Sequence, residues 1–241
     1  MNDKVFDRIE KKYLISKKQK KQFLRTIKQH MRKDHYFSSE VMNIYFDTDQ
    51  YDLIIQSIDS YTFKEKLRAR SYSGYDRVYM EIKTKLYAPD NNVGYKRRVL
   101  ITQEDFDELI NRRTTLVKLA NRKLETKNHI QIATEIDYLI KELDLKPKIQ
   151  ITYNRESYKT DDGLRITFDE NLRYRNHNLS FNETNHDKIY FKDKRNIIME
   201  VKAQGVIPLW LSGQMSKLKV FPEQFSKIGK VYERITKEQN V

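Results

Sequence analysis

No cysteine occurs in the 241 residues, which excludes disulfides and thiolate metal sites and fits a reducing compartment. Glycine and proline are sparse, at 6 and 4 residues, and neither G-x-G-x-x-G nor G-x-x-x-x-G-K-[ST] is present. A backbone phosphate cradle of the P-loop or Rossmann type is thereby argued against, so any bound phosphate must be held by side chains. No segment approaches the ~20 apolar residues of a membrane span, and Met1-Asn2-Asp3-Lys4 lacks the apolar stretch of a signal peptide. The expectation is a soluble, cytoplasmic protein, in which the N-x-S/T sequences at Asn178 and Asn182 are merely loop positions. His30, His35, His129, His177 and His186 are scattered without metal-ligand spacing. No serine stands in a nucleophile elbow, and Ser226 reads as a helix position, so a covalent mechanism has no support.

What the chain does carry is positive charge, +13 formally, from 47 Lys and Arg against 34 Asp and Glu. The basic residues are spread along its length instead of collecting in a tail, and a polyanionic partner follows: nucleic acid, a nucleotide, polyphosphate or an anionic membrane surface. Charge alone does not choose among these. The length suits one β-rich domain over residues 1–241, with no internal repeat, low-complexity tract or dividing linker.

Alternation and capping signals give the order of elements. A strand from about Phe6 to Ile15 precedes Ser16, an N-cap, and a helix with Phe23, Ile27 and Met31 on one face. A second strand spans Val41 to Phe46, and Asp47-Thr48-Asp49 caps a short helix with Leu53 and Ile54. Strands from about Tyr61 to Tyr72 and Arg77 to Tyr87 are joined across Ser73-Gly74, with another from Tyr95 to Ile101. Thr102 to Asp105 forms a capping box for a helix with Phe106, Leu109 and Ile110 inward. Asn128 to Leu143 fits helix or strand plus turn, with helix preferred. Strands from Lys148 to Tyr158 and Leu164 to Asp169 follow, then an exposed Asn-rich loop over 171–188, a strand from Ile197 to Lys202, and helices over Trp210–Leu218 and Pro222–Lys237.

Within these strands the cations alternate. Lys64, Lys66, Arg68 and Arg70 share one face, opposed by Phe63, Leu67 and Ala69, because successive strand side chains point to opposite sides. The polarity recurs at Lys12, at Glu81 with Lys83, at Lys96 with Arg98, at Arg165 with Thr167 and Asp169, and at Glu200 with Lys202. One such face is an ordinary solvated sheet surface; the recurrence is the signal. Two cations ~7 Å apart repel by roughly 2 kcal/mol at an effective dielectric near 20, so converging faces call for an anion to complete them. Arg pairs two phosphate oxygens through its fork, and Lys supplies a compact charge. Glu10, Glu81 and Glu200 each lie two residues from Lys12, Lys83 and Lys202. Each is either a neutralising neighbour or, at Glu200 above all, a ligand for a hard divalent cation that also takes phosphate oxygens.

Nine segments carry a family resemblance: Arg8 to Tyr13, Tyr45 to Thr48, Lys66 to Arg70, Met80 to Lys83, Tyr153 to Arg155, Leu164 to Asp169, Met199 to Lys202, Pro208 to Leu211 and Phe225 to Lys227. In their order they resemble VTC domains, the polyphosphate polymerase domains of the vacuolar transporter chaperone complex and their bacterial relatives. The resemblance implies an α+β fold, the triphosphate tunnel: an antiparallel β-barrel of about eight strands flanked by α-helices, with basic side chains in its lumen. It implies a metal-dependent phosphotransferase that moves the γ-phosphate of ATP onto polyphosphate and releases ADP, with manganese or magnesium as the cofactor. By motif, Arg68, Arg70, Lys83, Arg155 and Arg165 carry catalysis, Lys12, Lys202 and Lys227 bind substrate phosphates, and Glu200 holds the metal. ATP and polyphosphate are the expected partners, with no specific nucleic acid and with any membrane link supplied by a separate polypeptide.

The pattern departs from the family at Gln56 to Asp59, where another Arg is usual, and at Gln224, where a Lys is expected. Both changes thin the positive lining. Arg8 stands where hydrolytic relatives place the first Glu of ExExK, which tilts the reading from triphosphatase toward polymerase. An inorganic or nucleoside triphosphatase and a non-catalytic binder of polyphosphate or nucleic acid remain as alternatives.

Overall fold

A computed structural model describes residues 8–60, 62–87, 92–122, 126–182, 187–191 and 197–239. The strand and capping signals recur in it, with β2, β6 and β7 longer than expected. In chain order these are β1 (Arg8–Ile15), α1 (Lys17–His30), β2 (Arg32–Asp47), α2 (Asp52–Asp59), β3 (Phe63–Tyr72), β4 (Val78–Tyr87) and β5 (Asn92–Ile101). Then come α3 (Gln103–Ile110), α4 (Leu116–Arg122), α5 (Lys127–Glu142), β6 (Lys146–Lys159), β7 (Arg165–Arg175), β8 (Lys188–Ile189), β9 (Ile197–Gln204), α6 (Leu209–Lys217) and α7 (Lys227–Gln239). The nine strands form one sheet in the order β1-β9-β7-β6-β2-β3-β4-β5, with β8 on β7, and the fold class is α+β with a large antiparallel sheet flanked by helices.

Local chemistry explains the boundaries. The Ser16 hydroxyl accepts from the Gln19 amide while the Gln19 side chain accepts from the Ser16 amide, closing the box that starts α1. Thr102 and Asp105 do the same for α3. Asp47 acts from a greater distance: its carboxylate accepts from the amides of Leu53 and Ile54 at 2.9 and 2.8 Å, so it satisfies the open end of α2 without being the residue next to it.

Four expectations are corrected. The second strand begins at Arg32, not Val41, and the seventh runs on to Arg175, which removes the first residues of the Asn-rich loop. Helix α4 has no counterpart among the expected elements, and the last helix starts at Lys227, five residues after Pro222. The segment over 128–143 is helical, as preferred. Phe6, Tyr61 and His186 lie outside the described residues.

Contacts divide the chain into two compact units, each of three segments. The first takes 1–40, 152–173 and 189–226, and the second takes 41–151, 174–188 and 227–241. The first unit packs α1 and α6 on one face of β1, β9 and β7 through Phe23, Ile27, Leu211 and Met215 against Tyr13, Met199, Val201, Ile166 and Phe168. The second packs α3, α4 and α5 on β2 to β5 through Phe106, Leu119 and Ile136 with Ile44, Leu67, Met80, Ile82 and Val99. In both, the helices cover one face of the strands, and the alternate side chains point the other way.

Candidate functional site

In the second unit the uncovered face is basic. The register sets Lys66, Lys83 and Lys96 in one row across β3, β4 and β5, with Lys64 opposite Lys85 and the row Arg68, Glu81, Arg98 beside it. On the β2 side, Asn43 stands opposite Arg70 and Tyr45 opposite Arg68. Directly opposed strand residues have Cβ atoms ~5 Å apart, and like charges there are destabilising.

Glu81 is the carboxylate within this face and is 1% exposed. Its Oε2 accepts from Arg68 Nε at 2.9 Å and lies 2.8 Å from Nη2, while Lys96 Nζ is 2.6 Å from Oε1. Burial pushes its carboxyl upward, but Arg68, Arg70 and Lys96 outweigh that and hold it down at about 2. Burial and the neighbouring guanidinium groups lower Lys96, with Glu81 opposing them. Glu81, expected from its spacing to neutralise Lys83, pairs with Arg68 and Lys96 on the two neighbouring strands. Arg70 Nε donates to Asn43 Oδ1 at 2.9 Å, and Arg68 Nη1 lies 3.4 Å from the Tyr45 hydroxyl. Glu81 and Tyr45 together engage all three guanidinium nitrogens of Arg68, and Asn43 orients Arg70 through Nε.

In the first unit the face away from the helices carries Glu10, Lys202 and Arg165 in one register row and Lys12, Glu200 and Thr167 in the next. Glu200, 7% exposed, lies 3.1 Å from Lys202 Nζ and 3.9 Å from Arg155 Nη2. Glu10 is 3.8 Å from Lys202. Arg155 gives its side edge to Asp169, Nε to Oδ1 at 2.6 Å and Nη2 to Oδ2 at 2.8 Å, and stacks 5.2 Å from the Tyr153 ring centre. Burial disfavours its charge, yet Tyr153, Asp169 and Glu200 raise its pKa well above the ordinary guanidinium value. Arg165 donates to Ser157 Oγ at 3.0 Å and lies 3.3 Å from Asp34, which also meets Lys159. Lys12 Nζ donates to the Phe225 carbonyl at 3.0 Å, and the Lys12 carbonyl accepts from the Glu223 amide, so the chain before α7 is tied to β1.

The structure thus brings Arg68, Arg70 and Lys83 onto one face in the second unit, and Lys12, Arg155, Arg165, Glu200 and Lys202 onto one face in the first. Lys227 falls in the second unit at the head of α7, on a helix instead of a strand. Lys96, Asn43 and Tyr45 join the site beyond the residues expected there; alternation in their strands is a signal, but only the register shows which cations they meet.

For a divalent ion, no group of three or more His, Cys, Asp or Glu residues is gathered among the described residues. The residues at Glu200 nevertheless fit one. Thr167, its register partner, has a buried hydroxyl with no hydrogen-bond partner, and a hard cation that fills its shell with phosphate oxygens and water needs few protein oxygens.

The VTC domain family profile matches residues 7–234. Curated proteins give no significant match. Among solved structures, HpAC1 from Hippeastrum, described as having a dominant triphosphatase activity, is 15% identical, with 91% of this chain and 92% of that chain covered and a TM-score of 0.51. The PH1819 protein from Pyrococcus horikoshii OT3 is 12% identical, with 94% and 99% covered and a TM-score of 0.48. At such identity the likeness to HpAC1 concerns the fold alone. The profile spans nearly the whole chain, so this chain belongs to the VTC-domain family.

Proposed function

We propose that this protein is a polyphosphate polymerase, transferring the γ-phosphate of ATP to a polyphosphate end with release of ADP. The observation that carries this reading is the row of Lys66, Lys83 and Lys96, cations set directly opposite one another beside Arg68 and Arg70. Lys96 is ion-paired with Glu81, and linked phosphates laid along the row would meet a cation from each of three neighbouring strands.

Phosphoryl transfer asks for little covalent chemistry from the protein, only positioning and stabilisation of charge on the equatorial oxygens. Arg68, oriented by Glu81 and Tyr45, and Arg70, oriented by Asn43, present preset guanidinium charge to phosphate. Lys83 adds a point charge at the next register position. In the other unit, Arg155, Arg165, Lys12 and Lys202 bind phosphates of the donor or the growing chain, and Lys227 adds a cation at the start of α7. Glu200, with the Thr167 hydroxyl, would hold manganese or magnesium, which when bound neutralises phosphate oxygens. With no Ser or Cys nucleophile in the arrangement, the terminal phosphate of the acceptor is itself the attacking group.

The triphosphatase described for HpAC1 motivates the second reading, in which water replaces the acceptor. Incubation of the purified protein with ATP and manganese, followed by a gel stained for polyphosphate, separates the two. A ladder with ADP supports the polymerase, orthophosphate without a ladder supports the hydrolase, and neither product leaves a binding module.

A further inference from the structure

Helix α1 is basic on its outer side and lacks any carboxylate, as does the whole stretch 16–33. The stretch 205–222, which contains α6, lacks carboxylates as well. The two helices lie antiparallel: Gln19 near the start of α1 donates to the Leu218 carbonyl at the end of α6 (3.1 Å), and His30 at the end of α1 stacks on Trp210 at the start of α6 with centroids 4.5 Å apart. Both bury their apolar stripes in the core of the first unit. The opposite side of α1 exposes Lys18, Lys21, Arg25 and Lys28. At the head of α6 the exposure is apolar instead: Leu209 is 89% and the preceding Val206 79% exposed. Leu209 precedes the buried Leu211 by two residues, about 200° round the helix, so it points away from the core.

Cations disfavour an apolar partner, and bare Leu and Val disfavour a purely polyanionic one. A surface that presents both, with a Trp between them, matches a bilayer that is anionic at its headgroups and apolar just beneath. We infer that the α1–α6 face docks the protein on an anionic lipid surface, the α1 cations meeting the headgroups and Val206 and Leu209 reaching the acyl boundary beside the half-buried Trp210. The contact is peripheral: no helix among the described residues is long and apolar enough to cross a membrane.

Trp210 is the chain's one tryptophan, so its fluorescence reports this face alone. The full chain is mixed with vesicles of phosphatidylcholine or of phosphatidylcholine with phosphatidylserine, and binding is read by sedimentation and by Trp210 emission, with brominated acyl chains as depth-dependent quenchers. Expected are a blue shift and quenching with the anionic vesicles only. The triple variant Lys18→Glu, Lys21→Glu, Arg25→Glu should weaken partitioning at least ~10-fold, since each basic residue near such a surface contributes on the order of fivefold. Leu209→Ser should cut it ~3-fold or more and reduce the blue shift. A control of equal charge change on exposed residues of the other unit, Arg113→Glu, Lys118→Glu, Lys141→Glu, should lose far less. Equal loss in the two triple variants, or binding without change in Trp210 emission, would show attraction by overall charge and overturn the proposal. Absence of binding to the anionic vesicles, even with retention on a polyphosphate column, would overturn it too. Circular dichroism of each variant confirms that the fold is kept.

Discussion

A single carboxylate sets the behaviour of the second basic face. Glu81 is buried between Arg68 and Lys96, and its folded value of about 2 lies below the ordinary 4.5. The unfolded chain therefore takes up the proton first as pH falls. The contribution of Glu81 is complete above ~pH 5 and is lost as pH drops toward 2, on the order of 3 kcal/mol in all. Glu81→Gln should lower stability by a similar amount and flatten the acid limb of urea midpoints over that range; an unchanged acid limb would mean that Glu81 is not the group responsible. Arg68 has the opposite balance. It is held by Glu81 and Tyr45 yet 17% exposed at its side chain, so it remains open to a ligand. Arg68→Ala should cut nucleotide turnover about a hundredfold, the scale of losing one positioned donor, while far-UV circular dichroism stays native. Normal turnover in that variant would remove it from the machinery.

At the scale of elements, what was readable in the sequence was whatever local chemistry determines. Ser16 with Gln19 and Thr102 with Asp105 announce α1 and α3, and strict alternation announces the faces of β3 and β4. Long-range pairing was not readable. The first half of β2, Arg32 to Glu40, has no apolar alternation, and its extended state rests on neighbours such as β6, where Ser157 Oγ lies 3.2 Å from Asp34. Strand β7 continues through Asn171 at a φ of 51°, a left-handed residue that reads as a turn in isolation. Helix α4 is only seven residues long and takes its start from Asp137 on α5, whose carboxylate accepts from the amides of Leu116 and Val117. Asp47 serves α2 in the same manner, buried and six to seven residues from the amides it accepts. Asp47→Ala should cost ~2 kcal/mol, the upper range for a lost helix cap, and Asp47→Asn less because one acceptor oxygen remains. Urea denaturation of both variants measures the difference, and equal stability of the two would assign the loss to something other than the missing acceptors.

For the molecule as a whole, the relevant quantity is a net charge of +13 carried by units each assembled from three separate segments of chain. That interleaving is why the order of motifs was legible while the grouping of Arg155 with Glu200, or of Arg70 with Asn43, was not: the grouped residues are tens of residues apart in the chain and meet only through the sheet. Self-repulsion among cations on the uncovered faces opposes folding, and linked phosphates relieve it more effectively than single ones because one ligand spans several register positions. Ligand that binds the folded state alone stabilises it by about 2.7 kcal/mol at a hundred times Kd, which for a chain of this size raises Tm by roughly 5–10 °C. Tripolyphosphate should therefore raise the melting temperature by several degrees at concentrations where orthophosphate has little effect. The gain should shrink steadily as sodium chloride is added, because each phosphate contact is screened. In Lys83→Ala the shift should fall by at least half at the same tripolyphosphate concentration. An undiminished shift in that variant would place the phosphates away from the Lys66–Lys83–Lys96 row.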